Sequence, residues 1–382
     1  MNTSDQRILT THVGSMPRPQ EVVDMLFAED KGDLTDREAY QGVMKRAVAE
    51  TVSKQVAAGV DVVSDGEMSK ISYATYIRHR LSGFEIGEVP RATPKDLDEF
   101  PAFRDRLAQA GGTPKYHRPI CNGPIHMVNK EPLERDIANL KAALEQSGAT
   151  EGFMNAASPG VIAVFQPNTY YDSHEAYLQA LAEAMKEEYE AIAAAGLLLQ
   201  IDCPDLAMGR HIKFRDIDDG EFLHNAELQI EALNYALSDI PADRVRMHVC
   251  WGNYEGPHTH DIPFSKIFDT VMKAKPQAVL FEAANPRHAH EWTVWRDHEV
   301  PPDKILVPGV LDTTTNFVEH PELVAERIER FGRMVGPERV IAGTDCGFGT
   351  FAGFGAVHPD ICWAKLESLA RGAEIASERL FA

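Results

Sequence analysis

Residues 245–250 read VRMHVC, a short apolar run that ends with a histidine and a cysteine two positions apart. Alternate side chains of a strand share a face, so as a strand this run projects His248 and Cys250 together. Seven further runs of this kind occur, at Ile8–Val13, Val60–Ser64, Gly160–Phe165, Leu197–Asp202, Ala278–Glu282, Ile305–Val310 and Val340–Thr344. Between them lie segments of helical period. Among these are Ser173–Ala195, with Ser173 placed to cap it and Gly196 to stop it, then Asp219–Leu237 and Pro321–Val335. Eight strand–helix units without a linker predict an α/β protein, a single (β/α)8 barrel of the TIM type over residues 1–382. The stretch 82–147 fits least well: Pro90, Pro94, Pro101, Pro114 and Pro119 interrupt it, and Pro119–Ile125 adds an extra apolar run. It reads as an insertion on the face where the strands end.

Composition narrows the function. The 382 residues carry 38 Lys+Arg against 58 Asp+Glu, a net charge of −20, which repels phosphate backbones and anionic lipid heads. Neither nucleic acid nor a membrane surface is expected as a partner. At 44% hydrophobic and 25% charged, the chain has the usage of an ordinary globular protein. Its five cysteines are an odd number without disulfide-framework spacing, and the N-terminal residues lack the apolar run of a signal peptide. A reduced, cytoplasmic setting is expected. No internal repeat and no glycine-rich phosphate loop is present, and nothing in the pattern decides whether the protein forms a homo-oligomer.

In such a barrel, chemistry gathers at the C-terminal ends of the strands. The residues there are Gly14 and Ser15, Asp65 to Glu67, Asp202 and Cys203, His248 and Cys250, Glu282, Asp312, and Asp345 to Gly347. His248 and Cys250 close one strand, Glu282 the next and Cys346 the last, so all four converge on one mouth. Two thiolates, an imidazole and a carboxylate form a tetrahedral set suited to Zn²⁺, whereas Mg²⁺ and Ca²⁺ prefer all-oxygen sites. A cysteine at a strand end is more often a small buried hydrophobe. Cys121, Cys203 and Cys362, which lack such partners, are read that way.

The motifs TTHVGSMPR (10–18), SDGEMS (64–69), LQIDCPDLAM (199–208), HVC (248–250), FEAANPR (281–287), PGVLD (308–312) and TDCG (344–347) resemble, in the same order, the catalytic barrel of cobalamin-independent methionine synthase. The second, N-terminal barrel of the full-length synthase has no counterpart here. Locally HVCWGNYEGPH, DIPF, PRHAHEW, VEHPELVAERI and WAKLESL look closer to epoxyalkane:coenzyme M transferase, in which a thiol opens an epoxide. The resemblance implies His248, Cys250, Glu282 and Cys346 as zinc ligands, with Val13, Gly14, Ser15, Glu67 and Asp202 holding an amino-acid substrate. Val13 stands where the synthase has Ile, and Cys203 where it has Glu. Where the synthase has its proton-donating histidine, the run here is Asp312-Thr313-Thr314-Thr315.

The implied reaction is alkylation of a thiol that Zn²⁺ has deprotonated: homocysteine-type acceptor and methyltetrahydrofolate-type donor, or coenzyme M and an epoxide. Asp345 and Asp312 are the candidate acids in the mouth, and Asp345 would equally suit a helix N-cap. His258, His260, His288, His290 and His320 are alternative proton carriers, each otherwise an ordinary loop residue. Glu67 and Asp202 suit an ammonium group. A sulfonate would need Arg18, Lys70, Arg210 or Arg287. A non-catalytic zinc-binding homologue is the reading from another class, against which the open barrel mouth argues.

Overall fold

Eight parallel strands wind into a barrel in the computed structural model, which describes residues 1–87, 93–109 and 118–382. The strands of the chain are β1 (Leu9–Thr10), β2 (Val62–Ser64), β3 (Phe84–Ile86), β4 (Pro119–Cys121), β5 (Glu151–Ala157), β6 (Leu198–Asp202), β7 (Val245–Val249), β8 (Ala278–Phe281), β9 (Ile305–Leu311) and β10 (Ile341–Thr344). β3 and β4 form a separate antiparallel ribbon. The other eight follow the order β1-β10-β9-β8-β7-β6-β5-β2, and a parallel bridge from Thr11 to Val62 joins the two ends of that sheet.

Period-2 alternation sorts the side chains. Leu9, Val13, Ala278, Leu280, Ile305, Val307 and Ile341 fill the barrel interior as one apolar cluster. Their neighbours Val279, Phe281 and Leu306 pack outward with the helices. On β7, Val245, Met247 and Val249 face the helices. Arg246 and His248 take the other face, where the Arg246 guanidinium donates to Thr11 Oγ1 (2.9 Å) and to the His12 carbonyl (2.7 Å) and lies over the Phe153 ring.

The helices are α1 (Gln20–Lys31), α2 (Arg37–Ala57), α3 (Lys95–Glu99), α4 (Pro101–Gln109), α5 (Glu131–Ser147), α6 (Pro159–Phe165), α7 (His174–Ala194), α8 (Asp219–Ala236), α9 (Phe264–Met272), α10 (Trp292–Asp297), α11 (Pro321–Val335) and α12 (Pro359–Leu380). Ser173 caps α7 by accepting from the Ala176 N–H, and Gly196 follows its end with φ +87°. None of the described helices is long and apolar enough to cross a membrane.

One expected strand is a helix. Gly160–Phe165 belongs to α6, because Ser158 accepts from the Val161 N–H and Pro159 occupies the first turn, where its missing N–H costs nothing. The strand lies just before it, in Glu151–Ala157. Within 82–147, α5 packs on α2 and leads into β5 as a crossover helix, while α3 and α4 connect the ribbon strands. Pro90 and Pro114 lie outside the described residues. The chain leaves the barrel for this segment beside a buried ion triad, in which Arg80 meets Asp136 (2.8 Å) and Glu188 (2.9 Å).

Candidate active site

A cavity of about 220 Å³ opens at the C-terminal ends of the barrel strands. Its floor is polar: Ser15, Glu67, Asp202, His248, Cys250 and Cys346 line it. Higher up the wall is apolar and aromatic, with Tyr73, Phe351 and Phe354 from the barrel loops, Phe165 from the end of α6, and Leu97 and Leu107 from α3 and α4.

His248, Cys250 and Cys346 each bring a ligand atom within 4.8 Å of the others. The two thiols share a hydrogen bond that pulls the Cys250 thiol down and pushes the Cys346 thiol up. Burial works against a charged His248. The Asp202 carboxylate and the Cys250 charge outweigh it and lift the imidazole to about 9. Asp202 stands 3.7 Å from His248 Nδ1, and Nε2 is 3.2 Å from the Asp345 carbonyl. One imidazole and two thiols within such a distance form a donor set for a soft or borderline metal ion.

Glu282 does not join this cluster. Its carboxylate accepts from the Trp251 backbone N–H (2.8 Å) and from Asn285 Nδ2 (2.7 Å), which hold it beside the thiols. Asp345 is neither an N-cap nor part of the cavity lining. Its oxygens accept from the backbone N–H groups of Ala283, Ala284 and Asn285 (2.8–2.9 Å) and from Asn285 Nδ2, locking the turn after β8 against β10. Burial and the Glu282 charge push its carboxyl up to about 8. Asp312 likewise stays out of the cavity lining and closes the turn it begins, accepting from the Thr314 N–H and from the Thr314 and Thr315 hydroxyls.

The floor facing the thiols is built by β1, β2, β5 and β6. Gly14, at φ +142°, passes so close to Asn155 that a Cβ would sit 2.3 Å from its Oδ1. That approach lets Asn155 Nδ2 bridge the Val13 carbonyl (2.9 Å) and Asp202 (3.0 Å), while Gln200 Nε2 holds the other Asp202 oxygen (2.9 Å). Glu67 is a buried non-glycine residue at φ +56°, a costly conformation held here by its surroundings. Its Oε2 has no hydrogen-bond partner among the described residues, and burial together with the Asp202 charge pushes its carboxyl up to about 7. Ser15 Oγ lies where Gly347 leaves room, 1.9 Å from the position a Cβ would take. Gly347→Ala is therefore expected to displace the Ser15 hydroxyl from the cavity floor, as a crystal structure of the variant would show.

None of Arg18, Lys70, Arg210 and Arg287 lines this cavity. Arg18 is bound to the Glu67 and Gly349 carbonyls, Lys70 to the Asn155 carbonyl and Arg210 to Asp219, and Arg287 is exposed. Of the described histidines only His248 reaches the lining. His260 pairs with Glu99, His320 caps α11, and His258 and His288 gather round Asp261. Asn155 and Gln200, which fix Asp202, were not legible as site residues. Asn155 lies on the strand that the sequence pattern placed too late, and Gln200 sits mid-strand, away from the strand ends where ligands were sought.

The family model for the catalytic domain of cobalamin-independent synthase matches residues 8–90 and 159–357. The methionine synthase of Saccharolobus solfataricus is 25% identical over 377 residues, covering 97% of this chain and 95% of that protein. That of Thermococcus kodakarensis is 25% identical over 373 residues, with 97% and 94% covered. The B12-independent methionine synthase of Shewanella sp. W3-18-1, solved in complex with selenomethionine, shares the fold with a TM-score of 0.75 at 19% identity, covering 98% of this chain and 99% of that one. These proteins have the length of a single barrel, and with the family model matching most of the sequence, the chain belongs to the cobalamin-independent methionine synthase superfamily.

Proposed function

We propose that this protein is a zinc-dependent S-methyltransferase acting on an amino-acid thiol of the homocysteine type, with a methyltetrahydrofolate-type donor. The observation that carries the acceptor is the Glu67–Asp202 carboxylate pair on the cavity floor, where Asp202 stands beside His248. Among the described residues Glu67 Oε2 has no hydrogen-bond partner, with the Arg18 guanidinium 3.9 Å away, and the single Lys or Arg of the lining is Arg118, tied to the Phe165 carbonyl. An ammonium group neutralises that pair, whereas a sulfonate such as that of coenzyme M would meet it as a third negative charge.

His248, Cys250 and Cys346 would hold Zn²⁺, with Glu282 the ligand that moves in or out. The ion would deprotonate the incoming thiol at neutral pH. The protein's own residues do the rest. Glu67 and Asp202 anchor the ammonium end, Ser15 lies against the acceptor, and the aromatic rim keeps water from the sulfur and offers flat faces to a ring-bearing donor. Because Glu67 must be ionised to take the ammonium, acceptor affinity should rise as pH rises through about 7 and flatten above it.

The test compares homocysteine with coenzyme M, and methyltetrahydrofolate with small epoxides, on zinc-loaded protein. Homocysteine methylation is expected, and Glu67→Gln should raise its KM and remove the pH dependence of binding while sparing kcat. Preferential alkylation of coenzyme M by an epoxide would replace this reading.

A further inference from the structure

Behind Cys250, on the far side of Trp251, a second group of ligating side chains converges. Asp261 Oδ2 is 2.8 Å from His258 Nδ1 and 2.9 Å from His288 Nε2, and His211 Nδ1 stands 3.3 Å from Asp261 Oδ1. The facing atoms of His258, Asp261 and His288 all lie within 4.8 Å of one another. These residues come from three loops distant in sequence, those following β6, β7 and β8.

The remote ring nitrogens decide what the cluster can do. His211 Nε2 is 3.1 Å from the Trp251 carbonyl, His258 Nε2 is 3.1 Å from the Tyr254 carbonyl, and His288 Nδ1 is 2.9 Å from Glu291 Oε2. Each remote nitrogen thus faces an acceptor and must carry its hydrogen. A neutral imidazole with that hydrogen fixed presents a lone pair from its other nitrogen, and here all three lone pairs point at a carboxylate. Three lone pairs against an anion repel, and positive charge among them relieves this: protons on the near nitrogens, which the 2.8 and 2.9 Å contacts of His258 and His288 with Asp261 fit, or an ion at the centre, which also serves His211. Metal-bound histidines show this pattern, the far N–H tied to a carbonyl or carboxylate and the near nitrogen on the ion.

A further observation points the same way. His211 Nδ1 and Asp261 Oδ1 make no hydrogen bond, and both side chains are almost fully buried. His211 and Asp261 also line a second, polar cavity of about 110 Å³ with Lys95, Arg210, Asp219 and His260, separate from the lining of the main one. A small ion has a route in.

We propose that His211, His258, Asp261 and His288 form a second metal site, for a divalent transition-metal ion that prefers imidazole and carboxylate ligands. Three nitrogens and one oxygen suit Zn²⁺, Fe²⁺, Co²⁺ or Ni²⁺ and lack the sulfur of the first site. The ion pins the 251–261 segment, which carries Trp251 stacked on His288 (4.2 Å between ring centroids), directly behind Cys250. It acts as a brace for the loop that positions a ligand of the first site.

Cobalt distinguishes the two sites, because thiolate ligation adds sulfur-to-cobalt charge transfer that a nitrogen and oxygen site lacks. Metal-stripped full-length protein titrated with Co²⁺ should bind two equivalents, one with that band and one showing only weak ligand-field bands. His258→Gln/His288→Gln should lose the sulfur-free equivalent and keep the other. Cys250→Ser/Cys346→Ser, checked for folding by circular dichroism, should keep the sulfur-free equivalent alone. If that variant does not fold, the wild-type titration and the histidine variant still decide. Absence of a sulfur-free equivalent from the wild type, or its survival in the histidine variant, overturns the second site whatever happens at the first.

Discussion

Replacing Cys250 with serine is expected to strip the proposed first metal site and lower kcat/KM for the proposed thiol methylation by about 10³-fold or more, roughly 4 kcal/mol of transition-state stabilisation. The argument rests on geometry. Cys250 is the thiol that gives up its proton first, because the hydrogen bond from Cys346 and the His248 cation favour its charge. A hydroxyl in its place stays protonated at neutral pH, so the site loses one negative ligand and the partner that polarises Cys346. Glu282→Gln provides the contrast. Glu282 is already held by Trp251 and Asn285 outside the cluster of three, so the variant should retain most of its metal and lose activity less steeply. Metal content by mass spectrometry beside steady-state kinetics separates the two. Equal metal loss in both variants would show that Glu282 binds as tightly as the thiols.

The second large effect is on stability. Arg80 is buried between Asp136 on α5 and Glu188 on α7, and its guanidinium lies over the Tyr76 ring at 4.7 Å. Tyr76 donates to Glu188 (2.5 Å) and accepts from the Ala157 N–H at the end of β5, so the triad reaches the barrel wall beside the cavity. Arg80→Met keeps much of the packing but leaves two carboxylates buried without their cation. The expected loss is about 3–5 kcal/mol, read as a lower urea midpoint. Two buried carboxylates without a cation cost most when both are charged, so the deficit should shrink as pH falls and widen as pH rises. A deficit independent of pH would assign the loss to packing instead.

Legibility from sequence followed the strength of local signals. β6 to β9 carry Val, Ile or Leu at two-fifths or more of their positions, β10 follows Val340, and all five appear within a residue or two of where the pattern puts them. β5 reads EGFMNAA, with a glycine, an asparagine and two alanines, and offers little β-propensity, so the apolar run of α6 next to it reads more strongly as a strand. Ser158 and Pro159 were the signal that could have corrected the reading. Residues His248 and Cys250 were legible as a pair because period 2 puts them on one face. Asp345 and Asp312 were assigned to the mouth from their position at strand ends, yet backbone and hydroxyl donors turn both carboxylates into adjacent turns. The His211–His258–Asp261–His288 group was invisible as a group, since its members come from three loops that only the barrel brings together.

β1 lies beside β10, with Leu9 opposite Ile341, and Cys346 follows β10 directly. More than three hundred residues separate these partners, so the ring closes through the most sequence-distant contact in the sheet, a slow kind of step in folding. Cys346 reaches His248 and Cys250 only through that step. During synthesis, the ribosome must therefore release nearly the whole barrel before the three ligands can meet. Until then Cys250 and Cys346 are unshielded thiols, and assembly of the His248–Cys250–Cys346 cluster and completion of the ring become a single late event.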